Sequence, residues 1–256
     1  MASDMTFESA VKAFFDYQMR NVFTAMPAIV MQVTNMGECR VAVKPLINTV
    51  FPDYEDGQEH PTIFSVPVLF PSSSTSAFTF PVNEGDTVLV VFSQASLDVF
   101  KGGTTSPSAP NDYRVFDKRD AIAIPGMFPF QDSINKQSNR TLTHSTSDVV
   151  ISHNIGTSKE CEIRMKPTGK IEVTSPLQVE VKAPIATVTA TTSATITAPS
   201  IYATATTLAA ISAPIATLTA ATSVAVTAPT ITLTGAAAVA VVAPSFTWGG
   251  LTVATV

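Results

Sequence analysis

Residues 182–256 read KAPIATVTATTSATI, TAPSIYATATTLAAI, SAPIATLTAATSVAV, TAPTITLTGAAAVAV and VAPSFTWGGLTVATV, five copies aligned on Pro184, Pro199, Pro214, Pro229 and Pro244 at a spacing of 15 residues. Ala precedes every one of these prolines, and each copy closes on a β-branched residue: Ile196, Ile211, Val226, Val241 and Val256. Inside the units apolar residues alternate with Thr or Ala, as over Ile185–Thr189, and Thr, Val and Ile are abundant, which predicts strand. Self-similarity at a fixed short period predicts a solenoid or stacked array. An odd repeat length adds a constraint, because strict alternation over 15 residues would turn each copy inside out relative to the last. The phase must slip once per repeat, and a bend at Ala-Pro, where proline has a fixed φ and no N–H to donate, supplies the place. The prolines are therefore predicted corners, and the closing β-branched column is the candidate axial core.

A lone coil of this size encloses a thin interior, and small scaffolds usually need staples such as disulfides. The tail has no Cys, while its inward columns hold Ala, Val, Ile and Leu, small enough for a narrow axis shared by three chains. An intertwined, homotrimeric β-prism is the expectation, since pairing between chains also satisfies strand edges that would otherwise invite aggregation. Charge patterning sets this tail apart. All 15 Lys/Arg and all 20 Asp/Glu lie in residues 1–182, and none in residues 183–256. The tail is still no predicted membrane span, because its most apolar run, Ala236–Ala243, is far shorter than the roughly 20 residues required and proline returns in every copy.

The charged part is read as three segments. Residues 1–24 carry an amphipathic helix with Phe7, Val11, Phe14, Phe15 and Val22 on one side, opened by Ser3 or Thr6 and ended by Pro27. Its apolar side is the candidate contact to a hub or to other copies. Residues 25–130 predict short strands at Ala28–Val33, Arg40–Pro45, Ile63–Phe70, Thr87–Ser93 and Asp120–Ile124, which fits a small closed barrel of the OB type. Residues 131–181 start as a polar linker or collar, with strand character at Glu160–Met165 and Lys170–Thr174 before the repeats begin. The fold class is thus mainly β: an N-terminal helix, an OB-fold barrel, then a trimeric β-helix or β-prism.

The order of motifs in the charged part resembles a known family. Thr24-Ala25-Met26-Pro27 precedes Val41-Ala42-Val43-Lys44-Pro45, then Pro61-Thr62-Ile63, Val66-Pro67-Val68, Phe80-Pro81-Val82 with Gly85-Asp86, Leu97-Asp98, Arg114, and Asp120-Ala121-Ile122-Ala123-Ile124-Pro125-Gly126. This series is similar to the central spike proteins of phage baseplates, whose N-terminal domain is an OB-fold and whose C-terminal part is a trimeric β-helix. Phe100 and Phe116 stand where that pattern has Trp and His. The resemblance implies a homotrimeric, non-enzymatic spike at the tip of a contractile tail, in a phage or a phage-derived device, that joins a baseplate hub protein and pierces the host outer membrane on contraction. It places the protein in the virion baseplate after synthesis in the host cytoplasm. Many such spikes hold iron through a terminal His-X-His pair. The histidines here are His60, His144 and His153, none of them in the repeats, so no cofactor or metal is expected.

Other chemistries have little to build on. An acidic balance, formal net charge −5, without a basic block argues against nucleic acid. Cys39 and Cys161 make neither a disulfide framework nor a zinc site. The N-terminus lacks a basic region and an apolar core, so no cleaved signal peptide is expected. His144 and His153 are expected as solvated collar residues, Asp53, Glu55 and Asp56 as a solvated turn, and Ser72–Ser74 as a flexible loop. Phe246 and Trp248 in the last repeat are candidates for the apex, as an axial plug or as a contact to lipid or to a separate tip protein. Two alternatives stay open. Thr187/Thr189, Thr217/Thr219 and Thr232/Thr234 could form the ladders of an ice-binding solenoid, or the spike could carry a wall-degrading activity, which needs paired carboxylates that the tail does not contain.

Overall fold

Helix α1 (Phe7–Met19) starts where Thr6, in extended conformation, accepts a hydrogen bond on its side-chain oxygen from the Ser9 N–H at 3.2 Å. The computed structural model describes residues 6–51, 54–217, 219–220, 224–225, 246–248 and 251–253, and the chain divides into two units, Met1–Lys182 and Ala183–Val256. The helix ends at Met19, not at Pro27. Phe23 has to leave the helical path to pack its ring at 5.6 Å from both His60 and Phe92, and its N–H is taken by the Phe116 carbonyl at 3.1 Å.

Pro27 lies inside strand β1 (Ala25–Asn35), opposite Leu89 of the next strand described below. Its carbonyl accepts from the Leu46 N–H at 2.9 Å, one step beyond the last paired residues Ala28 and Pro45. A proline there forfeits only the terminal bond of the ladder, so it is tolerated in a central strand. The same sheet contains β2 (Arg40–Pro45), β5 (Ile63–Pro67), β6 (Thr87–Phe92) and β7 (Ala121–Pro125), in the order β5-β2-β1-β6-β7 and antiparallel at every neighbour. Register shifts near Met31 and Ala42 bend β1 and β2, and the sheet curls. Its two edges meet through one parallel bridge, Val68 to Ala123, with the Leu69 N–H donating to the Ala123 carbonyl at 2.8 Å. The expected OB-type barrel is thus present as a curled, OB-like half-barrel whose edges touch at that bridge.

Alternation decides its inside. Val88, Val90 and Phe92 of β6, Val41 and Val43 of β2, Ala28 and Val30 of β1 and Ala121 and Ala123 of β7 are buried, and Ile63, Val66, Val68, Phe70 and Val82 complete one apolar core. A small hairpin, β3 (Thr49–Phe51) with β4 (Tyr54–Gln58), replaces most of the turn expected over Asp53–Gly57. Gly57 takes φ +66°, and a Cβ there would lie 3.1 Å from the Asn48 Cβ, so glycine is required.

After the half-barrel come β8 (Val149–His153), β9 (Cys161–Met165) and β10 (Ile171–Thr174), an antiparallel sheet in the order β10-β9-β8. Strand β8 falls in the stretch expected to be linker. In the second unit the described part of the repeat has no strand before β11 (Phe246–Trp248), which pairs with β12 (Leu251–Val253). The backbone bends at Pro184, Pro199 and Pro214, and again at residues 191–192 and 206–207. Pro229, Pro244, Val226, Val241 and Val256 lie outside the described residues. Phe246 and Trp248 are described as backbone only, paired with Val253 and Leu251. Among the described residues no helix is long and apolar enough to cross a membrane.

Candidate assembly surfaces

The three-stranded collar sheet covers the face bearing Ser152, Glu162, Arg164 and Glu172 together with Val150, and leaves open the face bearing its other Val and Ile residues, Met165, Cys161 and His153. On the covered face, the Arg140 guanidinium is almost fully buried and sits 3.0 Å from Glu160 and 3.5 Å from Glu162, with Ser152 as a further partner. Glu160 also accepts three backbone N–H bonds, from Thr141 at 2.6 Å, Leu142 at 3.1 Å and Gly156 at 3.1 Å. Burial opposes ionisation of Glu160, but those donors and the Arg140 charge outweigh it and hold its carboxyl below the usual range. Gly156 is fixed at φ +75° because a Cβ would come within 2.7 Å of the Asn139 carbonyl oxygen. Arg164 next to this cluster pairs with Glu162, and lies 3.9 Å from Asp148 and 3.7 Å from Glu172. Glu172, bonded by Lys170 and Lys166, is pushed down to about 2.

His144 was expected in solvent and is buried instead. The Gln137 amide holds both of its backbone groups, accepting from its N–H at 3.2 Å and donating to its carbonyl, which closes a loop within the polar segment 131–148; bonds from Arg140 to Ser152 and from Arg164 to the Thr143 carbonyl tie that segment to the sheet as a lid. His153 is exposed. Among the described residues no group of three or more His, Cys, Asp or Glu side chains is placed to share a metal ion. Ser72–Ser74 form an ordered turn, in which Ser72 bridges to Ala77 and the Ser73 hydroxyl oxygen accepts from the Ser76 N–H at 3.2 Å.

On the open face of the collar sheet, Val149, Met165 and Ile171 form one cross-strand row and Ile151, Ile163 and Val173 a second, all between 38% and 65% exposed. Helix α1 is a second uncovered apolar surface. It buries no residue: Phe7, Phe14 and Phe15 are exposed, while Val11, and Val22 beyond the helix, are half-buried. In the repeat, Ile185, Val188, Ile196, Leu208, Ile211 and Ile215 are each at least 76% exposed.

The half-barrel carries an ionic latch where its last strand begins. Arg114 reaches three carboxylates, Asp98 at 2.6 Å, Asp112 at 2.8 Å and the buried Asp120 at 2.6 Å, and Asp120 also accepts the Leu97 N–H at 2.8 Å. This ties the short helix α2 (Asp98–Lys101) and the long loop after it to the strand edge. Hydrogen bonds from Asp120 first, then Asp98, raise the Arg114 pKa, and the same guanidinium lowers Asp98 and Asp112.

The segment that builds the half-barrel, from Met26 in β1 to Gly126 just after β7, coincides with a match to a family model described as the phage protein Gp138 N-terminal domain, over residues 26–126. Over residues 26–126 the chain is similar to that domain. The match supports a phage structural protein, associated with the virion and assembled with other virion proteins. No curated protein matches the chain significantly. The Gp138-type domain accounts for the half-barrel and its latch, while helix α1, the collar sheet and the repeat lie outside the match.

The sequence had named helix α1 as a contact surface, but the open face of the collar sheet was missed. Its signal was present in Cys161-Glu162-Ile163-Arg164-Met165 and Ile171-Glu172-Val173, where apolar and charged residues alternate. That pattern fixes two faces of unlike polarity without saying which one the chain covers.

Proposed function

We propose that the protein is the homotrimeric, non-enzymatic central spike of a contractile tail, which breaches the host outer membrane when the sheath contracts. The observation that carries this reading is the repeat: five 15-residue copies with no charge after Lys182, whose described residues before the hairpin form no strand with other described residues and expose their Ile, Leu and Val side chains. A free single chain would aggregate through such a segment. Three copies wound together satisfy the backbone between chains, bury the small apolar columns on a common axis and leave Thr outside. Bends at each described proline and midway between them suit a prism with regular corners.

Force passes along this prism through interchain hydrogen bonds, which share the load across three backbones. An uncharged shaft also avoids the cost of carrying ions into hydrocarbon, about 3 kcal/mol per charged side chain at mid-bilayer. The half-barrel sits at the baseplate end in this reading, helix α1 contacts the hub or the other copies, and the hairpin bearing Phe246 and Trp248 lies at the apex, against lipid or a separate tip protein. Immunogold labelling with antibody raised against residues 26–126 tests the placement. Label at the axial end of contractile tails is the expected result, and label elsewhere in the virion contradicts it.

A further inference from the structure

The root of helix α1 brings two cations and an imidazole together from separate elements. Arg20 caps the helix, His60 lies between the β3–β4 hairpin and β5, and Lys118 opens the short turn Lys118–Asp120 that leads into β7. All three line one recess of about 130 Å³. Arg20 spends one guanidinium nitrogen on the Val50 carbonyl at 3.1 Å, which ties the helix end to the hairpin. The Lys118 ammonium lies 5.9 Å from the centre of the Phe23 ring, and the same ring meets the His60 imidazole edge-on at 5.6 Å. Phe23 thus fixes both basic groups beside the recess.

Charge in the recess is unbalanced. Among the described residues that line it, Glu59 is the one carboxylate, and the Lys44 ammonium holds it at 2.7 Å. Glu59 is thereby neutralised by Lys44, and the charges of Arg20 and Lys118 are left over within the described lining. The C-terminal end of α1 adds about half a negative charge, which two full cations outweigh. His60 is only 7% exposed, and its Nε2 shares a hydrogen bond with the Thr49 hydroxyl at 3.1 Å. Burial first, and then the Lys118 charge, hold its imidazole below the ordinary pKa. An anion placed between imidazole and ammonium removes that repulsion. The volume is well below the roughly 300 Å³ of a pocket for a drug-sized organic ligand, so the guest is a small one.

We propose that this recess binds a single oxyanion, a phosphate-type or carboxylate group, between the Arg20 guanidinium and the Lys118 ammonium, with His60 as a third donor once it is protonated. Guanidinium and ammonium donors make the strong, charge-assisted hydrogen bonds that such a group accepts. One ligand then joins the end of α1, the hairpin and the turn before β7, and stiffens the attachment of a helix that buries no residue of its own. A free ion and an acidic group on a neighbouring protein present the same chemistry to the site. The site does not depend on how the repeat assembles.

Sulfate and acetate are suitable probes, because both keep their charge between about pH 8 and about pH 6, where imidazole titrates. Sulfate added to the full chain, against chloride at equal ionic strength, should shift the imidazole NMR signals of His60 and leave those of His144 and His153 in place. The His60 signals are assigned by their loss in His60→Gln. Because the anion favours the imidazolium, sulfate should raise the His60 pKa, and its affinity should increase as pH falls. Arg20→Gln and Lys118→Gln should each weaken sulfate binding about tenfold, with circular dichroism unchanged. Tighter binding of sulfate than of acetate supports a free tetrahedral ion as the natural guest, and the reverse order supports a carboxylate on a neighbouring protein. Shifts at His60 no larger than those chloride gives, or shifts that both substitutions leave intact, overturn the proposal.

Discussion

The half-barrel and the collar sheet are built from strands with the same alternation of apolar and polar residues, yet they place it in opposite ways. In β6 of the half-barrel the apolar phase, Val88, Val90 and Phe92, points inward and is covered by the chain's own β2, β5 and β7 residues. In β9 of the collar the charged phase is the covered one, with Glu162 buried and Ile163 and Met165 open. The first arrangement completes a domain within one chain, driven by apolar burial. The second leaves that driving force unspent in the monomer and holds the sheet by ion pairs and backbone hydrogen bonds to carboxylates. Polarity alternation therefore identifies a strand with two unlike faces, and only the neighbours decide whether the apolar one is a core or a contact.

The sharpest way to break this contrast is to put the same charge into both sheets. Val90→Asp should destabilise the half-barrel by at least about 4 kcal/mol, because a carboxylate replaces a fully buried side chain with no partner. Ile163→Asp should cost the dissociated chain less than about 0.5 kcal/mol, since that side chain already meets solvent in the monomer. Urea unfolding under dissociating conditions measures both, and equal losses would mean that the collar face is a core after all.

Next in size is the ionic interior of the collar. Arg140→Ala leaves Glu160 buried without its cation and Glu162 with Arg164 alone, and should cost the collar about 3–5 kcal/mol. Hydrogen exchange should accelerate in Val149–Thr174 and stay unchanged in Thr87–Phe92. The half-barrel's own ionic element is peripheral to its core, so Asp120→Ala should cost less, about 2–3 kcal/mol, by freeing the Leu97 N–H and leaving Arg114 with Asp98 and Asp112 alone. Asp120→Asn keeps an acceptor for Leu97 and should recover part of that loss, and proteolysis in the Gly102–Pro110 loop reports on both variants.

The smallest expected effect is that of pH. Glu160 and Glu172 have folded pKa values held below the unfolded value of about 4.3, so their stabilisation is complete above that pH and is lost as pH falls through the folded values. For Glu172 that value is about 2. Collar protection in hydrogen exchange should thus fall between about pH 4 and pH 2, ahead of the protection of the apolar half-barrel core.

Much of this architecture was legible from residues. Arg40–Pro45, Thr87–Phe92 and Ala121–Pro125 announce themselves by dense β-branched alternation, and Thr6 by its place before an amphipathic run. The hairpin β3–β4 was not legible, because Asn48–Gln58 carries acids and a proline and shows no alternation. Strand β8 was hidden among Ser, Thr and Asp, and its pairing with β9 depends on contacts no local pattern encodes. The end of α1 was missed for a similar reason: the helix stops where Phe23 must reach His60 and Phe92, a tertiary demand that overrides the nearest proline. His144 looked like a solvent residue because its neighbours are polar, and it is buried by the lid those neighbours form.

The account turns on the claim that apolar surface left open in one chain is closed by two others. Light scattering coupled to size exclusion, on the full chain at micromolar concentration, tests it most directly. The expected mass is three times that of one chain, and a mass of one chain contradicts the account.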